Sequence, residues 1–313
     1  MHTFAATRPA RALSCLSALA VGDAFGSQFF VPANRRFLEE RELPPGPWQW
    51  TDDTEMAASV YAEAVRGEGV DPDRLAGSFA RHHDFDRGYG PATGRLLRRV
   101  REGGDWRTLA AEPFGGSGSF GNGAAMRVAP LGAWYADDPG RAAREAAVSA
   151  RVTHTHPEAV DGAVAVAVAA ALVARREPMG PGPFLDGVAG CLRPGRVREA
   201  VGAARRLLVT ADPLGAAAEL GDGSRVSALD TVPFTLWVAA RHGGVLSGAR
   251  AGGGSFASAM WAAVAPGGDM DTTCAIVAGI LGAGLPGGRV PAEWAERTEE
   301  LPGWALADGG LDG

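Results

Sequence analysis

Apolar residues in this chain come in helix-length blocks, not in alternation. Ala12-Leu13-Ser14-Cys15-Leu16-Ser17-Ala18-Leu19-Ala20-Val21 is one such run and predicts a first core helix. Further blocks run from Glu55 to Arg66, Pro72 to His83, Arg95 to Glu102, Gly123 to Tyr135, Pro139 to Arg151, Val197 to Leu208 and Leu229 to Arg241. They are rich in Ala, Leu, Arg and Glu, and most carry Pro or Gly near their ends, as helix starts and stops demand. Pro157 to Arg175 is nearly all Ala and Val after Asp161 and Gly162. A helix apolar on every side is one buried on every side. Alternating β-branched runs bounded by hairpin turns are missing, so the pattern predicts a compact all-α protein built around that central helix.

Composition narrows the picture. Of 313 residues 46% are hydrophobic, enough for a sizeable core. The net charge of −6 argues against a broad nucleic-acid footprint, which needs a basic face. A small anionic substrate stays open, because metal ions and backbone N–H groups supply local positive potential. Cys15, Cys191 and Cys274 are too scattered for a disulfide framework, so a reducing cytoplasm is expected. Arg8 and Arg11 before the first apolar run imitate a signal peptide, but the run leads straight into Gly22-Asp23-Ala24-Phe25-Gly26 and reads as core. No apolar stretch is read as long enough to span a bilayer, and no membrane partner is expected. Pro178 to Pro183 is the one candidate linker, too short to split the chain. One domain over 8–303 and a flexible tail over 304–313 are expected.

The candidate chemistry lies in two acidic segments more than two hundred residues apart, Thr51-Asp52-Asp53-Thr54 and Gly267-Gly268-Asp269-Met270-Asp271-Thr272. The plain reading is a pair of helix N-caps with acidic first turns. A cap needs one acceptor, however, and these segments carry several. Brought together, the carboxylates would repel and raise one another's pKa unless a cation sat among them. Hard oxygen donors of this kind suit Mg²⁺, Mn²⁺ or Ca²⁺. The stretch Gly115 to Arg127 is a glycine-rich loop running into a helix, able to turn N–H groups toward a phosphate; the plain reading is a connector. Thr153-His154-Thr155-His156 lacks a third soft ligand and reads as pocket or capping residues, His154 above all. Tyr89, at the tip of the Arg87-to-Thr93 turn, could cover a sugar or a base, or be an ordinary loop tyrosine.

In order, Gly22-Asp23-Ala24-Phe25-Gly26, Thr51-Asp52-Asp53-Thr54, Gly118-Ser119-Phe120-Gly121-Asn122-Gly123-Ala124-Ala125-Met126-Arg127, Thr153-His154 and Gly268-Asp269-Met270-Asp271-Thr272 resemble the ADP-ribosylglycohydrolase family of the dinitrogenase-reductase-activating type. The resemblance covers about Arg11 to Pro286. It implies an orthogonal helical bundle with a central metal-binding cleft holding two Mg²⁺ ions, with Mn²⁺ as a substitute. It implies Thr51, Asp52, Asp53, Asp269, Asp271 and Thr272 as metal ligands, and the Gly118-to-Asn122 loop, including Ser119, Phe120 and Gly121, as the diphosphate site. His154 would line the ADP-ribose pocket. Asp53 or Asp271 would act as the base in hydrolysis of an ADP-ribosyl glycosidic bond, protein-linked or in a small molecule. There is one departure: where many relatives carry a glutamate four residues after Gly26, this chain has Phe30. An aromatic ring neither binds Mg²⁺ nor accepts a proton. Two alternatives therefore stand beside the hydrolase, a catalytically weak ADP-ribose binder and a hydrolase of a small nucleoside-like metabolite.

Overall fold

Thr7 caps the first helix, Arg8–Ser27, and that helix lies against Met270–Gly282 from the other end of the chain. Small residues permit the approach. A Cβ on Gly22 would come 2.4 Å from the carbonyl oxygen of Cys274, and one on Gly282 would come 2.3 Å from Cβ of Ala18. Two side chains latch the pair: Ser14 donates to the carbonyl of Gly282 at 2.7 Å, and the Cys15 thiol to that of Gly279 at 3.0 Å. The computed structural model describes residues 7–242, 255–285 and 290–307.

The protein is all-α, with no strand among the described residues. The Ala/Val-rich helix Pro157–Ala174 is buried on all sides, as its sequence requires, against Pro139–Arg151, Ala129–Trp134, Ala228–His242 and Met270–Gly282. It and the segment Arg8–Phe30 do have the length and apolarity of a membrane span, contrary to the sequence reading, but most of each is buried inside the protein. The helix expected over Gly123 to Tyr135 is also corrected: a 3-10 turn, Asn122–Ala124, precedes a short helix, Ala129–Trp134. Pro130 sits in the first turn of that helix, where its missing N–H costs no intrahelical bond. The stretch read as a linker instead enters a helix, Pro181–Gly190.

Phe25 at the end of the first helix meets Trp294 at 4.5 Å and Trp261 at 5.1 Å between ring centroids. Trp48 exchanges backbone hydrogen bonds with Arg297 and Glu299. The C-terminal segment is thereby held over the strap that leads to Thr51. Gly303–Ala307 is a short helix whose Trp304 stacks on His82 at 3.7 Å; the remainder of the expected tail lies outside the described residues.

Candidate active site

Both acidic segments open helices, Asp52–Val65 and Met270–Gly282, and the packing of the first helix brings those openings together. Gly26 is where the approach is tightest. A Cβ there would fall 2.2 Å from the Met270 carbonyl oxygen and 2.7 Å from Cα of Asp271. Gly268, at φ +71°, makes the matching turn, with Asp222 so close that a Cβ would fall 2.2 Å from its carbonyl oxygen. The two clusters then touch directly: the Thr272 hydroxyl donates to Asp53 Oδ2 at 3.3 Å across 219 residues of sequence.

Asp23 organises the first turn, a role the sequence reading did not assign. It is fully buried and accepts from the N–H and hydroxyl of Thr51 at 2.9 and 2.8 Å, and from those of Thr54 at 3.1 and 2.5 Å. The signal was available, since a lone carboxylate in an apolar helix between two glycines has to be satisfied by something. Thr51 and Thr272 thus both reach Asp53, whose other oxygen, Oδ1, is buried without a hydrogen-bond partner. Asp52, Asp269 and Asp271 are half-buried. Asn122 joins the glycine-rich loop to this centre, its amide nitrogen donating to Asp269 at 2.7 Å and to Thr231 at 3.1 Å.

The carboxylates strain against one another. Burial pushes the Asp23 carboxyl up to about 6 despite its hydrogen bonds. Burial first, then the charges of Asp23, Asp269 and Glu55, push Asp52 up to about 8. Asp53 and Asp271 are raised well above the usual carboxylate range by burial and by their acidic neighbours. Among the described residues no three carboxylate, imidazole or thiol groups already stand as a ready-made ion cage. The donor set nevertheless fits a hard divalent cation. All the donors are oxygens, one buried carboxylate oxygen lacks a partner, and the mutual repulsion is of the kind a cation removes.

Beside the acidic centre, the glycine-rich loop covers His154. The ring is buried, shares a 2.6 Å hydrogen bond with the Thr153 hydroxyl, and lies so close that a Cβ on Gly121 or Gly123 would sit 3.2 or 2.9 Å from it. Burial, and then the charge of Arg127, lower its pKa to about 3, so the imidazole is neutral. Arg127 is itself fully buried, donating to the Ser149 carbonyl at 3.0 Å and lying over the Phe79 ring at 4.4 Å. Within the loop, Gly118 is buried at φ +75° against Thr155, and the Gly121 N–H donates to the Ser119 hydroxyl at 3.2 Å. Phe120 pairs with Phe114 at 4.5 Å between centroids; Phe114 is 60% exposed and holds a positive φ of 55°. The Tyr89 hydroxyl donates to Glu55 at 2.6 Å. Phe30 stands 50% exposed on a 3-10 turn just past the first helix.

The family model for ADP-ribosylglycohydrolase matches residues 5–311. The chain belongs to the ADP-ribosylglycohydrolase family. It is a hydrolase. A protein of Archaeoglobus fulgidus with no described function is 31% identical over 92% of this chain and 91% of its own length. The ADP-ribosylhydrolase ARH3 of Homo sapiens is 31% identical over 54% of this chain, a match that spans 52% of the human protein. A solved structure described as an ADP-ribosylglycohydrolase-related protein complex superposes with a TM-score of 0.66 at 28% identity, covering 97% of this chain and 96% of that one.

Proposed function

We propose that this protein is a Mg²⁺-dependent hydrolase that cleaves the glycosidic bond joining ADP-ribose to a protein or small-molecule acceptor. The observation that carries the reading is the contact of Thr272 with Asp53, which joins two acidic turns around a carboxylate oxygen that lacks a partner. Thr51, Asp52, Asp53, Asp269, Asp271 and Thr272 would hold two Mg²⁺ ions, with Mn²⁺ as a substitute. When bound, such ions neutralise the cluster and lower the pKa of water.

The protein's own groups do the rest. Asp271 is partly exposed, whereas Asp53 is buried with its Oδ2 already accepting from the Thr272 hydroxyl, so Asp271 is the better placed to take a proton from the attacking water. Neighbouring carboxylates stabilise the positive charge that grows at the anomeric carbon. The remaining backbone N–H groups of the Gly118-to-Asn122 loop would bind the diphosphate, and exposed Phe114, paired with partly buried Phe120, would offer a surface for the adenine ring.

The test compares release of free ADP-ribose from arginine-, serine- and O-acetyl-linked substrates, with Mg²⁺ and with chelator. Asp271→Asn should slow release by about 10²-fold or more while ADP-ribose still binds. Phe30, in the place of a glutamate, favours the second reading, a binder with little turnover. Tight ADP-ribose binding without Mg²⁺-dependent release from any of the three linkages would establish it.

A further inference from the structure

A cavity of about 390 Å³ opens behind the turn that carries Tyr89, lined by His83, Phe85, Tyr89, Pro91, Arg95 and Arg98. His83 is only 8% exposed, and its Nε2 has no hydrogen-bond partner. A buried polar nitrogen left in that state asks for an explanation. The ring stands edge-on to Tyr89 at 4.4 Å. Arg95 and Arg98 are exposed and form no ion pair among the described residues; Arg98 makes one long bond, from Nε to the Gly94 carbonyl at 3.4 Å. Their neighbours on the same helix are committed elsewhere, Arg99 to Glu112 at 2.9 Å and Arg101 to the Ala80 and His83 carbonyls. The adjacent carboxylate, Asp84, caps its own turn through the Asp86 N–H and lies 3.7 Å from Arg87. On a chain of net charge −6, two uncommitted guanidinium groups beside an unsatisfied imidazole are a local exception.

The cavity adjoins the candidate active site. Gly88 lines both it and the groove that reaches Thr51, and a Cβ on Gly88 would lie 3.9 Å from Asp52 Oδ1. Guanidinium groups match the oxygens of a phosphate, and Phe85, 79% exposed at the mouth, offers apolar surface to an organic substituent. We propose that this cavity is a second anion subsite, separate from the glycine-rich loop, which holds a phosphate monoester carried by the acceptor from which ADP-ribose is removed. The inference rests on the hydrolase reading for the word acceptor.

Two measurements on the full chain test it. In calorimetric titrations with ADP-ribose present, phosphoserine should bind more tightly than inorganic phosphate. The Arg95→Gln/Arg98→Gln variant should lose about tenfold of that affinity, with ADP-ribose binding unchanged. Because both arginines are exposed, the variant should fold; His83→Gln is the second probe and should weaken phosphoserine alone. With ADP-ribosylated peptides, a phosphoserine next to the modified residue should lower KM in the wild type and not in the double variant. Equal phosphoserine affinity in wild type and double variant, equal affinity for phosphoserine and phosphate, or displacement of phosphoserine by ADP-ribose would each overturn the proposal. Loss of the hydrolase reading looks different: no peptide is cleaved, yet the phosphoserine titration is unchanged.

Discussion

Asp52 shows what single residues contribute and what they cost. It is only partly exposed, and its carboxyl is pushed up to about 8 by burial and by the charges of Asp23, Asp269 and Glu55. Asp52→Asn should therefore raise the melting temperature of chelator-treated protein, by roughly 2 °C if about 1 kcal/mol of repulsion is relieved. With Mg²⁺ the order should reverse if Asp52 is a ligand, as proposed; melting curves in the two buffers check both halves. His154 carries a pH signature. The unfolded chain takes up its proton near the ordinary pKa of about 6.5, whereas the folded protein refuses it down to about 3. Its share of stability is thus complete above pH 6.5 and is lost as pH falls through that window. His154→Gln should give a flatter acid-unfolding profile there, by up to about 1.4 kcal/mol per pH unit. The acidic ligand candidates were legible in the sequence because several carboxylates crowd positions where a cap needs one. Asp23, Arg127 and Phe114 were not assigned roles. What each does depends on neighbours distant in sequence, or on an exposed backbone strain that no local pattern announces.

Helices were read best where their sequence alone decides them. Pro139–Arg151 and the buried Pro157–Ala174 came out within a residue, since Pro fixes their starts and composition their burial. Short helices such as Trp106–Ala111 went unread because six residues give too little periodicity. Contact between elements was not legible in periodicity or spacing; the resemblance alone implied that the two acidic segments share a cleft, and that contact is what makes the site. Gly26→Ala tests this: its methyl group would drive the first helix away from the Met270 carbonyl and Asp271. Overpacking of this kind costs about 1–3 kcal/mol. The expected outcome is a larger proportional loss of Mg²⁺ affinity than of stability. Gly282→Ala, which clashes with Ala18 near the far end of the same interface, should lower the melting temperature while Mg²⁺ affinity holds. Isothermal titration and thermal melts on the two variants separate the effects.

At the scale of the molecule, a bound cation should act as a clamp between the two ends of the chain. Mg²⁺ at about 100 times its Kd should add about 2.7 kcal/mol of stability. That gain should vanish in Asp53→Asn, as calorimetric melts with and without Mg²⁺ would show. A monovalent salt at equal ionic strength should not reproduce it. The same long-range closure has a consequence for biosynthesis. Asp23, Asp52 and Asp53 leave the ribosome first, and Asp269, Asp271 and Thr272 follow more than two hundred residues later. Until then the first helix, with its glycines and apolar face, has no partner of the kind Met270–Gly282 supplies. A chain terminated prematurely at residue 266 should lack half of the proposed site and leave that interface uncovered, so it is expected to be inactive and prone to aggregate. Hydrolytic activity in this architecture requires that translation has passed Thr272.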